Sequence, residues 1–435
     1  MSRFDELAHR FLARRRPGRA LTWLARTPVP VLAADWIAER EPVGEENAPN
    51  PSPLIEEIAP RDAPAGVLDG DVVIKDQIDV AGLRTGVGMA DGGEVATCDA
   101  TVVARIVAAG GRITGKTKMT ELGVDGIGAL MHYPMPRNPV SPGYIAGGSS
   151  TGTAVAVASG FARYGVGGDG LGSIRIPSAF CGLVGLKPSQ TALPRDGVRS
   201  PVRTLAQIGP MARTVEDCAR LWQVMAGEPV TPLTAWAPPV VGIPAFVATT
   251  KVARSIGHAF KRMFTALGVE SREVPLPGFE NATFLGGLTG AHELASGPYA
   301  GRGTTAPGKV SLALGRSFTA EHIAILEAQR AALRDATARA FGQTPILAMP
   351  TTAIPAPAIT PQLLTGRTSL PVLRALGAFT PLANLVDLPA IAVPSGVDDR
   401  GRPLSIMFVA PQGGETSLLR IAHAVEATGL GAMLA

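Results

Sequence analysis

Aromatic residues, cysteine and histidine are all scarce in this 435-residue chain. Phe, Trp and Tyr make up 5% of the residues against 46% apolar residues in total, so a core must be filled mainly by aliphatic side chains. Three cysteines, Cys98, Cys181 and Cys218, are an odd number without metal-ligand spacing, which argues against a complete disulfide framework and favours a reducing cytoplasm. The six histidines are scattered, so we expect no metal site.

Excess charge and long apolar runs are also missing. The 40 basic residues are offset by 36 acidic ones, so we expect no nucleic acid partner. The absence of a run of 18 apolar residues, and of a signal-like segment after Met1, predicts a soluble protein without stable membrane insertion. The Arg-rich stretch from Arg10 to Arg26 favours a solvated amphipathic helix interrupted near Pro17, with binding to a membrane surface or an acidic partner as the alternative.

The remaining chain shows the pattern of an α/β protein. Residues 42–65 are rich in Pro, Glu, Asn and Asp, which predicts a linker between an amino-terminal helical piece and the body. The expected strands lie at 72–74, 112–114, 240–243, 346–349, 390–393 and 405–409. The expected helices lie at 101–109, 151–160, 215–226, 251–267, 320–341 and 415–427. This alternation predicts a sheet covered by helices on both faces.

Two segments look like loops, and two others imitate nucleotide-binding motifs. Residues 276–318 and 353–380 are rich in Gly, Thr, Pro and Ala, and surface loops of this kind often select substrates. The segment Gly110–Thr117 has the formal phosphate-loop pattern, but its apparent order is helix then strand, the reverse of what that loop needs. Gly165–Gly170 has dinucleotide spacing, but Pro177 soon interrupts any helix, and no acidic residue follows at the expected distance. We therefore expect neither nucleotide.

Three short segments carry the chemistry. Gly147-Gly148-Ser149-Ser150 is followed by Gly172-Ser173-Ile174-Arg175-Ile176-Pro177, and Val72-Val73-Ile74-Lys75-Asp76 lies upstream of both. Each segment alone is ordinary, since Gly and Ser commonly form a turn before a helix. Together and in this order they resemble the amidase signature family, tightly over about residues 64–228 and more loosely over about 345–428. Arg137-Asn138-Pro139 and Gly185-Leu186-Lys187-Pro188 agree with the same resemblance.

The resemblance implies an architecture and a set of roles. It implies a catalytic domain at 64–435 built on a large mixed β-sheet, preceded by a helical extension and linker at 1–63. By position, Ser173 matches the nucleophile, Ser149 the bridging serine that passes a proton, and Lys75 the terminal base. The base must be neutral to accept a proton, and the apolar run before Lys75 is consistent with a burial that lowers its pKa. In the family the peptide bond into the bridging serine, here Gly148-Ser149, is cis.

Further residues receive supporting roles from the same resemblance. Backbone amides of the turn Gly170-Leu171-Gly172-Ser173 are expected to bind the developing oxyanion. Ser150, Asp169 and Arg175 match positions that support the active-site turn, and Met131 lies in a segment that resembles a pocket lining.

The chain departs from the family where Leu171 stands in place of the usual Gly. A positive φ there would strain a leucine. We hypothesise that Leu171 narrows the pocket beside the nucleophile and restricts the acyl group. Thr151 and Thr153 also replace a more usual Gly and Ser, a change expected to affect packing more than chemistry.

These observations predict an amidohydrolase that cleaves a small-molecule carboxylic amide through an acyl-enzyme and releases ammonia or a small amine, without metal or organic cofactor. Three alternatives stay open: the amidotransferase subunit that serves tRNA-dependent amide formation, a non-catalytic amidase-like binding protein, and a membrane-associated hydrolase of fatty amides. A homodimer is one possibility for the assembly. The acyl and amine parts of the substrate are not determined by these residues.

Overall fold

An eleven-stranded mixed sheet organises the computed structural model, which describes residues 50–364 and 370–431. In chain order the strands of this sheet are β1 (Leu54–Glu57), β2 (Asp71–Lys75), β5 (Arg112–Thr117), β6 (Tyr164–Asp169), β7 (Val184–Lys187), β8 (Gln207–Ala212), β9 (Val240–Pro244), β10 (Glu270–Val274), β11 (Leu347–Pro350), β12 (Ala390–Val397) and β13 (Pro403–Val409). A separate hairpin pairs β3 (Arg84–Thr85) with β4 (Glu94–Val95). Across the sheet the order is β1-β5-β2-β6-β8-β7-β12-β13-β11-β9-β10.

Helices cover the sheet on both faces. In chain order they are α1 (Thr101–Ala108), α2 (Thr151–Ala158), α3 (Arg175–Phe180), α4 (Val215–Ala226), α5 (Ala245–Thr249), α6 (Arg254–Leu267), α7 (Ala282–Ser296), α8 (Ala306–Arg316), α9 (Ala320–Phe341), α10 (Pro361–Leu364), α11 (Leu370–Leu376), α12 (Pro381–Leu385) and α13 (Glu415–Ala427). Successive residues of β13 belong to different cores: Ile406 and Phe408 lie in one apolar cluster, Met407 and Val409 in another. Because side chains alternate along a strand, these clusters lie on opposite faces of the sheet.

The expected α/β architecture is confirmed, and several boundaries agree closely. The helices Val215–Ala226, Ala320–Phe341 and Glu415–Ala427 begin and end where the sequence pattern predicts. The segment with a phosphate-loop pattern, Gly110–Thr117, follows the end of α1 and continues into strand β5, which is the order helix then strand that the sequence predicts. The segment with dinucleotide spacing lies largely in strand β6.

Two predictions about segments are corrected. The composition of residues 42–65 predicts a linker, but Leu54–Glu57 forms an edge strand that pairs antiparallel with β5. Four residues with only Leu54 buried are too short to show a clear strand pattern. The composition of residues 276–318 predicts loops, but they contain helices α7 and α8, whose Gly and Pro content conceals them. In residues 353–364 and 370–380, the described part of the second segment, α10 and α11 are helical and most other residues are irregular.

The Arg-rich stretch from Arg10 to Arg26, interpreted above as an amphipathic helix, lies outside the described residues. Within the described ranges, no helix is both long and apolar enough to cross a membrane.

The contact between α7 and α8 gives a test of the fold. A Cβ atom added at Gly315 in α8 would lie 1.9 Å from the carbonyl oxygen of Ala291 in α7. We expect Gly315→Ala to lower the free energy of unfolding by about 1 to 3 kcal/mol, because overpacked contacts force the backbone apart. In the control Gly257→Ala, the new Cβ would meet Val252 at 3.6 Å, so this helical variant should gain up to about 1 kcal/mol. If urea unfolding showed Gly315→Ala to be as stable as Gly257→Ala, the close approach of α7 and α8 would be contradicted.

Candidate active site

Two parallel strands bring the first site residues together. Strands β2 and β6 pair in parallel through Val72–Ile74, so their carboxyl ends meet at one edge of the sheet. Lys75 ends β2, and Gly168 and Asp169 end β6. The turns that precede α2 and α3 supply the serines, since Ser149 and Ser150 lie just before Thr151 and Ser173 lies just before the start of α3. The Gly148-Ser149 peptide bond is cis.

Lys75 is completely buried and is surrounded by three oxygen atoms. Its Nζ lies 2.8 Å from the Oγ of Ser149, 2.8 Å from the Oγ of Ser150 and 2.9 Å from the carbonyl oxygen of Gly168. Burial lowers the pKa of Lys75 to about 7, although the charges of Asp169 and Asp76 act in the opposite direction. The amine is therefore substantially neutral near physiological pH.

Counting protons assigns a direction to these hydrogen bonds. The hydroxyl of Ser150 donates to the carbonyl oxygen of Gly168 at 3.1 Å, so its Oγ accepts from Lys75. A neutral amine has two N–H groups and one lone pair. The N–H groups are used on Ser150 and on the carbonyl oxygen of Gly168, which leaves the lone pair for the hydroxyl of Ser149. The arrangement can thus draw a proton from Ser149.

Ser173 points into an adjacent cavity of about 260 Å³. The residue is 9% exposed, and among the described residues its hydroxyl has no hydrogen-bond partner. No hydrogen bond joins Ser173 to Ser149 within the described ranges, although the backbone N–H of Ser150 donates to the carbonyl oxygen of Ser173 at 3.3 Å. Catalytic hydrogen bonds are often longer before substrate binds. The cavity wall is largely apolar, and none of the described residues that line it is Asp, Glu, Lys, Arg or His.

The turn before Ser173 is held by a buried ion pair. Asp169 and Arg175 are both fully buried, and the guanidinium reaches both carboxylate oxygens at 2.9 Å. The carboxylate also accepts from the backbone N–H groups of Gly172 at 2.7 Å and Ile174 at 3.1 Å. Burial alone would raise the pKa of Asp169, but the charge of Arg175 and these hydrogen bonds hold it well below its ordinary value.

These contacts correct one predicted oxyanion donor. The N–H of Gly172 is engaged by Asp169, so the oxyanion site predicted at Gly170, Leu171, Gly172 and Ser173 is reduced to the other three amides. The strain considered for Leu171 is also absent, because Gly172 adopts the positive φ of 130° and Leu171 does not have a positive φ.

Several residues of the site gave no signal in the sequence. Asn384 accepts from Arg175 at 2.6 Å and donates to Asp169 at 3.0 Å, and the carbonyl oxygen of Thr380 accepts from Arg175 at 2.8 Å. The hydroxyl of Thr380 donates to the carbonyl oxygen of Leu171 at 2.7 Å. Both partners come from a distant segment, so neither spacing nor periodicity could reveal them.

The cavity wall includes Leu171 but not Met131, so the predicted pocket lining is corrected at Met131. Its neighbour His132 instead contacts the buried Glu121 at 2.9 Å. Glu121 also accepts from the backbone N–H groups of Thr304 at 2.9 Å and Thr305 at 2.8 Å, just before α8. The segment around Met131 thus packs toward the start of α8 rather than into the cavity.

Burial would raise the pKa of Glu121, but its hydrogen bonds lower it to about 2. The following residues, Leu122 and Gly123, line the cavity, and a Cβ on Gly123 would lie 3.3 Å from the Oγ of Ser149. Glu121 therefore fixes the start of α8 to the turn beside the serines.

Comparison with known proteins agrees with this architecture. The family model described as Amidase matches residues 56–256 and 305–419. The chain therefore belongs to the amidase family, a family of amide-cleaving enzymes, as its sequence motifs predicted. Its fold is that of a solved structure described as a crystal structure of amidase, which aligns with a TM-score of 0.74 and 26% identity over 97% of this chain and 98% of that one.

Two similar sequences represent different branches of this family. A fatty acid amide hydrolase of Medicago truncatula is 33% identical over 83% of this chain and 65% of its own length. The chain thus spans about two thirds of that relative. A glutamyl-tRNA(Gln) amidotransferase subunit of Natronomonas pharaonis is also 33% identical, over 83% of this chain and 96% of its own length. Sequence identity alone does not separate the two branches.

The ion pair of Asp169 and Arg175 provides a test. We expect Asp169→Asn to lower the free energy of unfolding by about 3 to 5 kcal/mol, because it leaves a buried guanidinium without its counter-charge. The double variant Asp169→Asn/Arg175→Met should recover part of that loss, because it removes the uncompensated charge. Urea unfolding of both variants measures the difference. A single variant as stable as the wild type would contradict the proposed dependence of the turn on this pair.

Proposed function

We propose that this protein is an amidohydrolase in which Ser173, Ser149 and Lys75 hydrolyse a carboxylic amide through an acyl-enzyme. The observation that carries the proposal is the environment of Lys75, whose buried Nζ lies 2.8 Å from the Oγ of Ser149, close to a second serine, Ser173, that opens into a cavity. Buried groups with shifted pKa values at a cavity are typical of catalytic sites.

The reaction follows from the positions of these groups. Neutral Lys75 accepts the proton of Ser149, which in turn accepts the proton of Ser173. The Oγ of Ser173 attacks the carbonyl carbon, and backbone amides of Gly170, Leu171 and Ser173 are the proposed donors to the oxyanion. The proton then returns through Ser149 to the departing nitrogen as the C–N bond breaks. Water attacks the resulting ester by the same proton route and releases the acid.

The uncharged cavity wall favours an apolar acyl group. Glutamine carries an α-ammonium and an α-carboxylate, and burying such charges without partners is costly. Among the described residues that line the cavity, none carries a charge that could pair with them. The similarity to a fatty acid amide hydrolase supports the same interpretation. The proposed substrate is accordingly an amide with an uncharged, apolar acyl part.

The amidotransferase subunit is the second candidate. The coverage of 96% of the archaeal relative favours it, because that chain and this one match over nearly the same length. The two candidates differ in their amide donor. Release of ammonia from glutamine, but not from apolar amides, would support the amidotransferase and overturn the hydrolase proposal.

Labelling with a fluorophosphonate tests the nucleophile. We expect intact-mass analysis to show one adduct on the wild type and none on Ser173→Ala, because only an activated serine displaces the fluoride. Ser178→Ala is a matched control, since Ser178 is also buried near the site on α3 and should leave the adduct unchanged. An adduct retained in Ser173→Ala would exclude Ser173, and no adduct on the folded wild type would favour a non-catalytic binding protein.

The pH dependence tests Lys75. Protonated Lys75 has no lone pair, so we expect kcat/KM for an amide to fall about tenfold per pH unit below pH 7 and to level off above it. Lys75→Met should be inactive at every pH. Lys187 is an equally buried lysine with a pKa lowered to about 8, mainly by burial, so Lys187→Met should retain the inflection near 7. A profile that is flat from pH 5 to 9 would contradict Lys75 as the base.

A further inference from the structure

Helix α7 has three glycines close together on the side that faces the cavity. They are Gly286, Gly287 and Gly290, and the last two line the cavity into which Ser173 opens. Glycine in a helix interior is destabilising relative to alanine. The helix also lies in residues 257–304, which the family model does not match. Because these glycines cost helix stability, packing or function should explain them.

Packing explains Gly286. A Cβ atom at this position would lie 2.6 Å from the Cδ2 of Leu171 and 3.3 Å from the Cβ of Pro381. Leu171 lies two positions before Ser173, where the family resemblance leads us to expect a Gly. The leucine side chain thus occupies space that is open because α7 has no side chain at 286.

Packing does not explain Gly287 and Gly290. A Cβ atom at Gly287 would meet nothing within 4 Å, and one at Gly290 would meet Leu205 and Val202 only at 3.7 Å. Alanine would fit at both positions without a clash. These two glycines leave open volume along the wall of the cavity. Ser173, whose hydroxyl has no partner among the described residues, lines the same cavity.

We propose that Leu171 and the glycines of α7 select the acyl group: Leu171 with Gly286 narrows the cavity beside Ser173, while Gly287 and Gly290 open a groove along α7. An acyl chain that is unbranched next to the carbonyl fits past Leu171 and lies against the two glycines. A chain branched at that carbon meets the side chain of Leu171. The proposal rests on the proposed function, in which Ser173 is the acylated residue.

The groove is tested with a series of unbranched amides from acetamide to octanamide. We expect the ratio of kcat/KM for octanamide to that for acetamide to fall about tenfold or more in Gly287→Ala and Gly290→Ala, since one misplaced methyl group in an apolar pocket has this effect. Gly257→Ala, on a helix that does not line the cavity, should keep the wild-type ratio. An unchanged ratio in both α7 variants would overturn the groove.

The narrowing is tested with butanamide and its branched isomer 2-methylpropanamide. We expect Leu171→Ala to raise the relative kcat/KM for the branched amide about tenfold. Gly286→Ala should lower the melting temperature, because the new Cβ meets the side chain of Leu171. The double variant Leu171→Ala/Gly286→Ala should restore the melting temperature, because Leu171→Ala removes that side chain. An unchanged preference in a folded Leu171→Ala would overturn the proposal.

Fluorophosphonate labelling of Ser173 in each variant distinguishes a failure of the acyl-selecting role from a failure of the proposed amidohydrolase function. Normal labelling with unchanged selectivity contradicts only the acyl-selecting role. Absence of labelling and of amide hydrolysis in the wild type contradicts the proposed function itself.

Discussion

The removal of the Lys75 amine from water is the constraint on which the site depends. A lysine that remained hydrated at the end of a strand would keep its proton, and the proton transfer proposed from Ser149 would have no acceptor. Parallel pairing of β2 with β6 places this amine beside the carbonyl oxygen of Gly168 and against two hydroxyl groups. The sheet therefore supplies both the burial that lowers the pKa and the oxygens that satisfy the N–H groups.

The neighbouring Asp169 is fully buried like Lys75, but burial does not make it neutral. It is as buried as Lys75, yet it keeps its charge because Arg175 and several N–H groups compensate it. This pairing also limits the attraction that Asp169 exerts on a protonated Lys75, which acts to raise the lysine pKa. Lys75 at the end of β2 and Asp169 at the end of β6 thus both have lowered pKa values, which favours a neutral amine and a charged carboxylate. In the proposed mechanism Lys75 supplies the neutral base, while Asp169 holds the turn that carries Ser173.

The sequence predicted elements whose pattern is local and missed those fixed by distant contacts. The helix Val215–Ala226 has an apolar stripe, a threonine cap and a following glycine, so both of its ends could be predicted. Helix Ala282–Ser296 could not, because its glycines are typical of loops and only tertiary packing makes them helical. In the site, motif order was enough to group Lys75 with the serines. Asn384 has no comparable motif, since its role exists only once the chain is folded.

The contacts of Arg175 also bear on when the site is complete during synthesis. Its guanidinium reaches Thr380 and Asn384, which lie 205 and 209 residues further along the chain. Chains emerge from the ribosome amino terminus first, so the segment with Ser173 is exposed well before either partner exists. A nascent chain that ends before Thr380 lacks part of the network that holds the turn carrying Ser173. The site is therefore complete only after the chain has been synthesised past Asn384. Products truncated before Thr380 contain the serines but lack the contacts of Arg175 with Thr380 and Asn384.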